Sequence, residues 1–181
     1  MTAMKPNDLL AMLSGCDLRS TGRAEEAAAA VLEDPSLFSA LLKGLGHGDA
    51  RVRMRAADAA EKASRQRPDL LQPHKKKLFT LAELEDQKEV RWHLAQMLPR
   101  IHLRGRERLR AVSIFCQYLG DKSSIVKTFA MQALADLAEQ DGSLQPDVLL
   151  LLKRLTVEGT PAMLARGKRL IAQITRRKAA T

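Results

Sequence analysis

A spacing of about 37 residues constrains this chain more than any single motif in it. Val52, Val90 and Val126 stand 38 and 36 residues apart, and Met163 extends the series by 37. Counted from each member, the fourth residue is Ala56, Leu94, Ala130 and Gly167; the seventh is Ala59, Met97, Ala133 and Leu170. The eighth is Ala60, Leu98, Leu134 and Ile171. Offsets 0, +4, +7, +8 and +11 share one face of a helix that advances about 100° per residue. A second series lies between these helices, where Leu71-Gln-Pro73 recurs as Leu144-Gln-Pro146, 73 residues or two periods later. Such a period marks stacked helix pairs, each unable to bury its own apolar face alone, so the whole of residues 1–181 is expected to form one domain.

Punctuation supports an all-α reading with about five pairs. Asn7 or Asp8 caps a first helix ending near Leu13, and Glu25 and Glu26 suit the first turn of a second. Asp34-Pro35 reads as cap and first residue of a third, and Asp49 begins a fourth that Pro68 stops. A fifth carries Leu78, Leu81 and Leu84 on one face, and a sixth starts at Asp86 or Gln87 and meets Pro99. The seventh, from Arg106 to Leu119, places Leu109, Val112, Phe115, Cys116 and Leu119 on its expected core face. Gly120-Asp121, Asp141-Gly142 and Thr160-Pro161 lead into the last three. Aromatics at 3% among 45% apolar residues favour close helix packing through Ala and Leu over a β-sandwich.

No apolar run reaches the roughly 20 residues of a membrane span, and the first residues lack the apolar core of a signal peptide. Cys16 and Cys116 are 100 residues apart with no metal-ligand spacing, so reduced thiols in a cytoplasmic protein are expected. The net charge of +9 is concentrated in two segments: net +5 over residues 51–100 and net +7 over residues 151–181. Such an excess suits an acidic partner, nucleic acid included.

Asp49…Val52-Arg53…Ala56-Ala57…Ala60 resembles the second helix of a HEAT repeat, and Val90-Arg91…Leu94-Ala95 and Val126-Lys127…Ala130 resemble it more loosely. The resemblance covers about residues 20–178. It implies a right-handed α-solenoid whose second helices line a concave surface, with Arg53, Arg91 and Lys127 tying successive repeats together. Gly44-Leu-Gly-His-Gly48 is then a helix end; a phosphate loop would need a preceding strand and a following Gly-Lys-Ser/Thr.

Opposite the buried stripe, offset +2 gives Met54, Trp92, Thr128 and Ala165, and offset +6 gives Asp58, Gln96, Gln132 and Arg169. One flank adds Arg55, His93, Phe129 and Arg166 at +3, with Lys62 and Arg100 at +10. The candidate groove residues are therefore Trp92, Gln96, Gln132, Arg55, Asp58, His93, Arg166 and Arg169. An indole ringed by amides and cations is a typical anchor for a protein or peptide, the expected partner. The same set can stack and hold a nucleic acid strand, the alternative. His47, His74, His93 and His102 are scattered, with no second ligand at helical spacing, and neither a catalytic constellation nor a cofactor motif stands out. Some HEAT-like proteins are DNA glycosylases, a remote third reading, but no catalytic position of theirs maps onto this chain. The expectation is a non-enzymatic interaction module or scaffold.

Overall fold

A computed structural model describes residues 4–14 and 22–178 of the chain, and every regular element among them is a helix. The ten α-helices are α1 (Pro6–Met12), α2 (Ala24–Glu33), α3 (Phe38–Gly44), α4 (Ala50–Gln66), α5 (Lys75–Leu84), α6 (Lys88–Met97), α7 (Arg106–Tyr118), α8 (Ser124–Gln140), α9 (Gln145–Glu158) and α10 (Pro161–Lys178). Several starts share one device. The Asp34, Asp49, Asp121 and Asp141 carboxylates each accept the backbone N–H two residues on, at 2.7–3.1 Å. These bonds satisfy donors that a helix N-terminus leaves unpaired. Thr160 caps α10 in a related way, its Oγ1 accepting Met163 N–H at 3.4 Å, and Pro161 takes the first helical position. The Leu71-Gln-Pro73 segment lies in a 3₁₀ turn over Pro68–His74, ahead of α5.

The chain divides into two compact units, Met1–His102 and Leu103–Thr181. In the first, α3 packs on α4 and α5 on α6, while α2, α4 and α6 lie side by side in that order and α1 lies on α3. In the second, α7 packs on α8 and α9 on α10, with α8 and α10 adjacent. Small residues let these helices approach. A Cβ on Gly44 would stand 2.7 Å from the Ala56 methyl, and a Cβ on Gly167 would collide with Thr156 Oγ1.

The 37-residue period is a burial period. Val52, Val90, Val126 and Met163 are all buried, as are Ala56, Leu94, Ala130 and Gly167 at offset +4. Ala59, Met97, Ala133 and Leu170 at +7, and Ala63, Ile101, Leu137 and Ile174 at +11, are buried as well. At +8 only Ile171 is left half-buried.

Two expected faces are corrected. On α7 the buried residues are Ala111, Ile114, Phe115 and Tyr118, whereas Leu109 is 62% exposed and Cys116 lies exposed. The buried set has its own i, i+3, i+4, i+7 spacing, and Phe115 and Tyr118 meet edge-on with centroids 6.3 Å apart. On α5, Leu78, Phe79 and Ala82 are buried and Leu84 is 78% exposed, because the helix ends there and the chain turns away through Glu85. Cys16 lies outside the described residues. No described helix is long and apolar enough to cross a membrane.

Candidate functional site

The candidate groove residues fall into two sets, one per unit. In the first, α4 contributes Arg55 and Asp58, and α6 contributes Trp92, His93 and Gln96. In the second, α8 contributes Gln132, and α10 contributes Arg166 and Arg169.

Trp92 is half-buried on α6, and its indole N–H donates to His93 Nε2 at 3.2 Å. His93 is 8% exposed and is anchored on its other side, where Nδ1–H donates to Glu89 C=O at 2.6 Å. With Nδ1 turned to the Glu89 carbonyl, Nε2 is the ring nitrogen that meets the indole. Asp58 Oδ1 stands 3.5 Å from His93 Nε2, and Asp58 Oδ2 takes Lys62 Nζ at 2.9 Å. Burial alone would raise the Asp58 carboxyl, but the hydrogen bonds of its neighbours, Lys62 among them, outweigh it and hold Asp58 below its ordinary value. Gln96 is half-buried, its side-chain amide donating to Trp92 C=O at 3.3 Å. The indole is thus held at its polar edge by a buried imidazole and leaves part of its surface to solvent.

Arg55 does not belong to that surface. It is 3% exposed, and its guanidinium donates to Leu13 C=O at 2.9 Å. Gly22, at φ +55, closes over it: a Cβ there would stand 2.8 Å from Arg55 Nε. An arginine so placed satisfies the end of α1 and is not available to a partner. His93 is likewise withdrawn, and it acts on Trp92 from beneath.

In the second unit, Gln132 bridges two helices. Its amide donates to Asp136 Oδ1 at 2.8 Å and its carbonyl accepts from Arg166 Nη1 at 2.9 Å. The Arg166 guanidinium lies over the Phe129 ring, 5.5 Å from its centroid. Burial, with Arg169 adding to it, pushes the Arg166 guanidinium below its ordinary value, and Asp136 opposes the shift. Arg169 is exposed. A shallow apolar depression beside this pair is lined by Ser124, Ile125, Thr128, Phe129 and Ala162.

The two +10 cations expected on the groove flank reach across to the neighbouring helix of the α2, α4, α6 row. Lys62 Nζ pairs with Glu25 at 2.6 Å, and Arg100 Nη2 pairs with Glu61 at 2.5 Å. Gln173 on α10 donates to Glu139 on α8 in the same sense. Glu61, which the sequence did not single out, is 1% exposed and also takes Arg65 at 2.6 Å. At offset +9 it lies opposite the buried stripe, so the period gave no sign of its burial, and the one local signal was Arg65 four residues on.

Arg53 joins two turns, donating to His47 and Gly48 C=O at 2.8 and 3.1 Å and to Gln87 Oε1 at 2.8 Å. Gln87 returns a bond to Ala50 C=O at 2.9 Å. Arg91 Nε donates to Glu85 C=O at 2.7 Å within the second of those turns. Lys127 makes no side-chain hydrogen bond among the described residues; the starts of α8 and α10 are tied by Ser124 and Thr160 hydroxyls 2.7 Å apart. Among the described residues no group of three or more His, Cys, Asp or Glu is placed to hold a metal ion.

Among solved structures, the chain is similar to a crystal structure described as that of an engineered protein, a target of the Northeast Structural Genomics Consortium. The two share 20% identity at a TM-score of 0.62, over 94% of this chain and 79% of that one. That is a likeness of fold. No family model and no curated protein matches the chain.

Proposed function

We propose that the helix pairs are HEAT-like repeats of an α-solenoid and that the protein is a non-enzymatic interaction module, binding a protein or peptide segment on the face of its second helices. One observation carries the reading. Trp92 is fixed at its N–H edge by a buried histidine while part of the ring remains open, so a partner meets an anchor whose ordering cost is already met. Gln96, bonded to the Trp92 C=O, lies beside it at half exposure and supplies an adaptable rim. Peptides selected on the wild-type chain from a random library are expected to lose at least about thirty-fold in affinity on Trp92→Ala, the scale of an aromatic hot spot. Selection that yields only peptides indifferent to that substitution, with helicity intact, removes the proposal.

A second reading, nucleic-acid binding, is favoured by the exposed cations Lys153, Arg154, Lys168, Arg169 and Arg176, within a segment that holds 8 basic residues and 1 acidic. It expects retention of single-stranded DNA or RNA that falls steeply with salt and weakens on Arg169→Ala. Arg55→Ala is expected to lower stability without changing that retention. Absence of retention at low salt removes this reading.

A further inference from the structure

The outer face of α9 carries an apolar stripe that nothing in its own unit covers. Leu150 is 72% exposed and Val157, two turns further on, is 81% exposed. Leu151 and Leu144 are half-exposed beside them. Single exposed aliphatics are ordinary on a protein surface, but these lie along one line of one helix. Asp147, Leu150, Leu151 and Arg154 line a shallow concavity of about 330 Å³.

The charges on this stripe are placed symmetrically about its centre. Asp147 lies one turn before the Leu150-Leu151 pair and Arg154 one turn after it, and both are exposed. Neither makes a hydrogen bond or ion pair among the described residues. Seven residues apart on one helix, they are about 10 Å from each other along the axis and cannot pair in the same chain. A second α9 laid antiparallel, with its twofold axis between Leu150 and Leu151, sets Asp147 of each copy against Arg154 of the other. The same operation brings the leucines together at the axis and sets Val157 beside Leu144 of the other copy. A parallel arrangement would instead oppose Asp147 to Asp147 and Arg154 to Arg154. The stripe is therefore self-complementary in one orientation and self-repelling in the other, which is what a twofold contact between identical surfaces requires.

We propose that α9 is a self-association surface and that two copies of this chain pair through it, antiparallel, with a Leu150-Leu151 core between two Asp147–Arg154 ion pairs. This contact lies on a first helix and shares no residue with the second-helix site assigned to the partner, so its test and the peptide test fail independently.

The experiment is sedimentation velocity of the full chain over a concentration series at physiological salt. A reversible monomer–dimer equilibrium is expected. Leu150→Glu places two like charges at the axis and should raise the dimer Kd by at least about thirty-fold, with circular dichroism unchanged because the side chain is exposed. Asp147→Arg and Arg154→Asp should each weaken the dimer about tenfold or more, and an equimolar mixture of the two variants should recover wild-type association as a heterodimer. That rescue distinguishes a specific antiparallel pair from general stickiness. A chain that stays monomeric across the series overturns the proposal and leaves the face to a different occupant. A dimer indifferent to Leu150→Glu, or reversals that do not rescue each other, overturn it equally.

Discussion

Glu61→Gln tests whether the helices of the first unit are joined by a buried charge. The carboxylate is 1% exposed, with Oε2 taking Arg65 at 2.6 Å and Oε1 taking Arg100 at 2.5 Å. Arg100 reaches it from the 3₁₀ turn that follows α6 and also donates to Glu61 C=O and Ser64 Oγ, each at 3.1 Å. Glutamine keeps the shape but removes the charge and turns one acceptor into a donor that faces a guanidinium. The Arg65 side chain is 64% exposed, so its pair contributes no more than about 0.5 kcal/mol. The Arg100 side chain is 23% exposed, and a charge-assisted bond in that setting is worth about 1.5–3 kcal/mol. The substitution should therefore cost the first unit about 2–3 kcal/mol, most of it through Arg100.

The same site has a signature in acid. Burial alone would raise the Glu61 carboxyl, but the Arg65 and Arg100 hydrogen bonds outweigh it, so the folded value lies below the ordinary one. A depressed folded value means that the contribution is complete above the unfolded glutamate pKa of about 4.3 and is lost as pH falls through the folded value. Urea denaturation followed by far-UV circular dichroism should thus show a wild-type advantage at neutral pH that narrows in acid. A double-mutant cycle with Arg100→Met should return a coupling of at least about 1 kcal/mol. A neutral-pH cost below about 0.5 kcal/mol, or a gap that does not change with pH, would refute the reasoning.

Two further perturbations probe the packing. Gly167→Ala puts a methyl into Thr156 Oγ1 and should lower the stability of the second unit by about 1–3 kcal/mol, with Thr156→Ala in the same chain recovering most of the loss in thermal melts. On α7, Leu109→Ala should change stability by less than about 0.5 kcal/mol, while Phe115→Ala, at a fully buried position, should cost about 3–5 kcal/mol in urea denaturation.

What the sequence could convey follows from what a period records. Burial recurs wherever a helix faces its neighbours at the same level, so Val52, Ala56, Ala59 and Ala63 foretell the fate of Val90, Leu94, Met97 and Ile101. The all-helical fold and the Asp-led helix starts were legible on that basis. Arg55 was not, because its burial depends on where α1 ends and on Gly22 turning over it, and neither belongs to the repeat. The +10 cations misled for a related reason: position on a helix tells which way Lys62 and Arg100 point, but not that Glu25 and Glu61 wait on the adjacent helix. On α7, two apolar stripes overlap. The one rich in Leu is the exposed one, and the buried one is disguised by the smallness of Ala111 and the hydroxyl of Tyr118. Trp92 stood out as the chain's single tryptophan, but the imidazole that orients it sits next to it in sequence, a relation that helical spacing does not flag.

That single tryptophan also makes the central claim directly measurable, since all indole emission from the chain reports one site. Acrylamide quenching of Trp92 should show partial access in the free protein, and a selected peptide should shield the indole in a saturable manner that matches the binding curve. A bound peptide that leaves the quenching unchanged would contradict the account, as would an indole as inaccessible in the free chain as a core side chain.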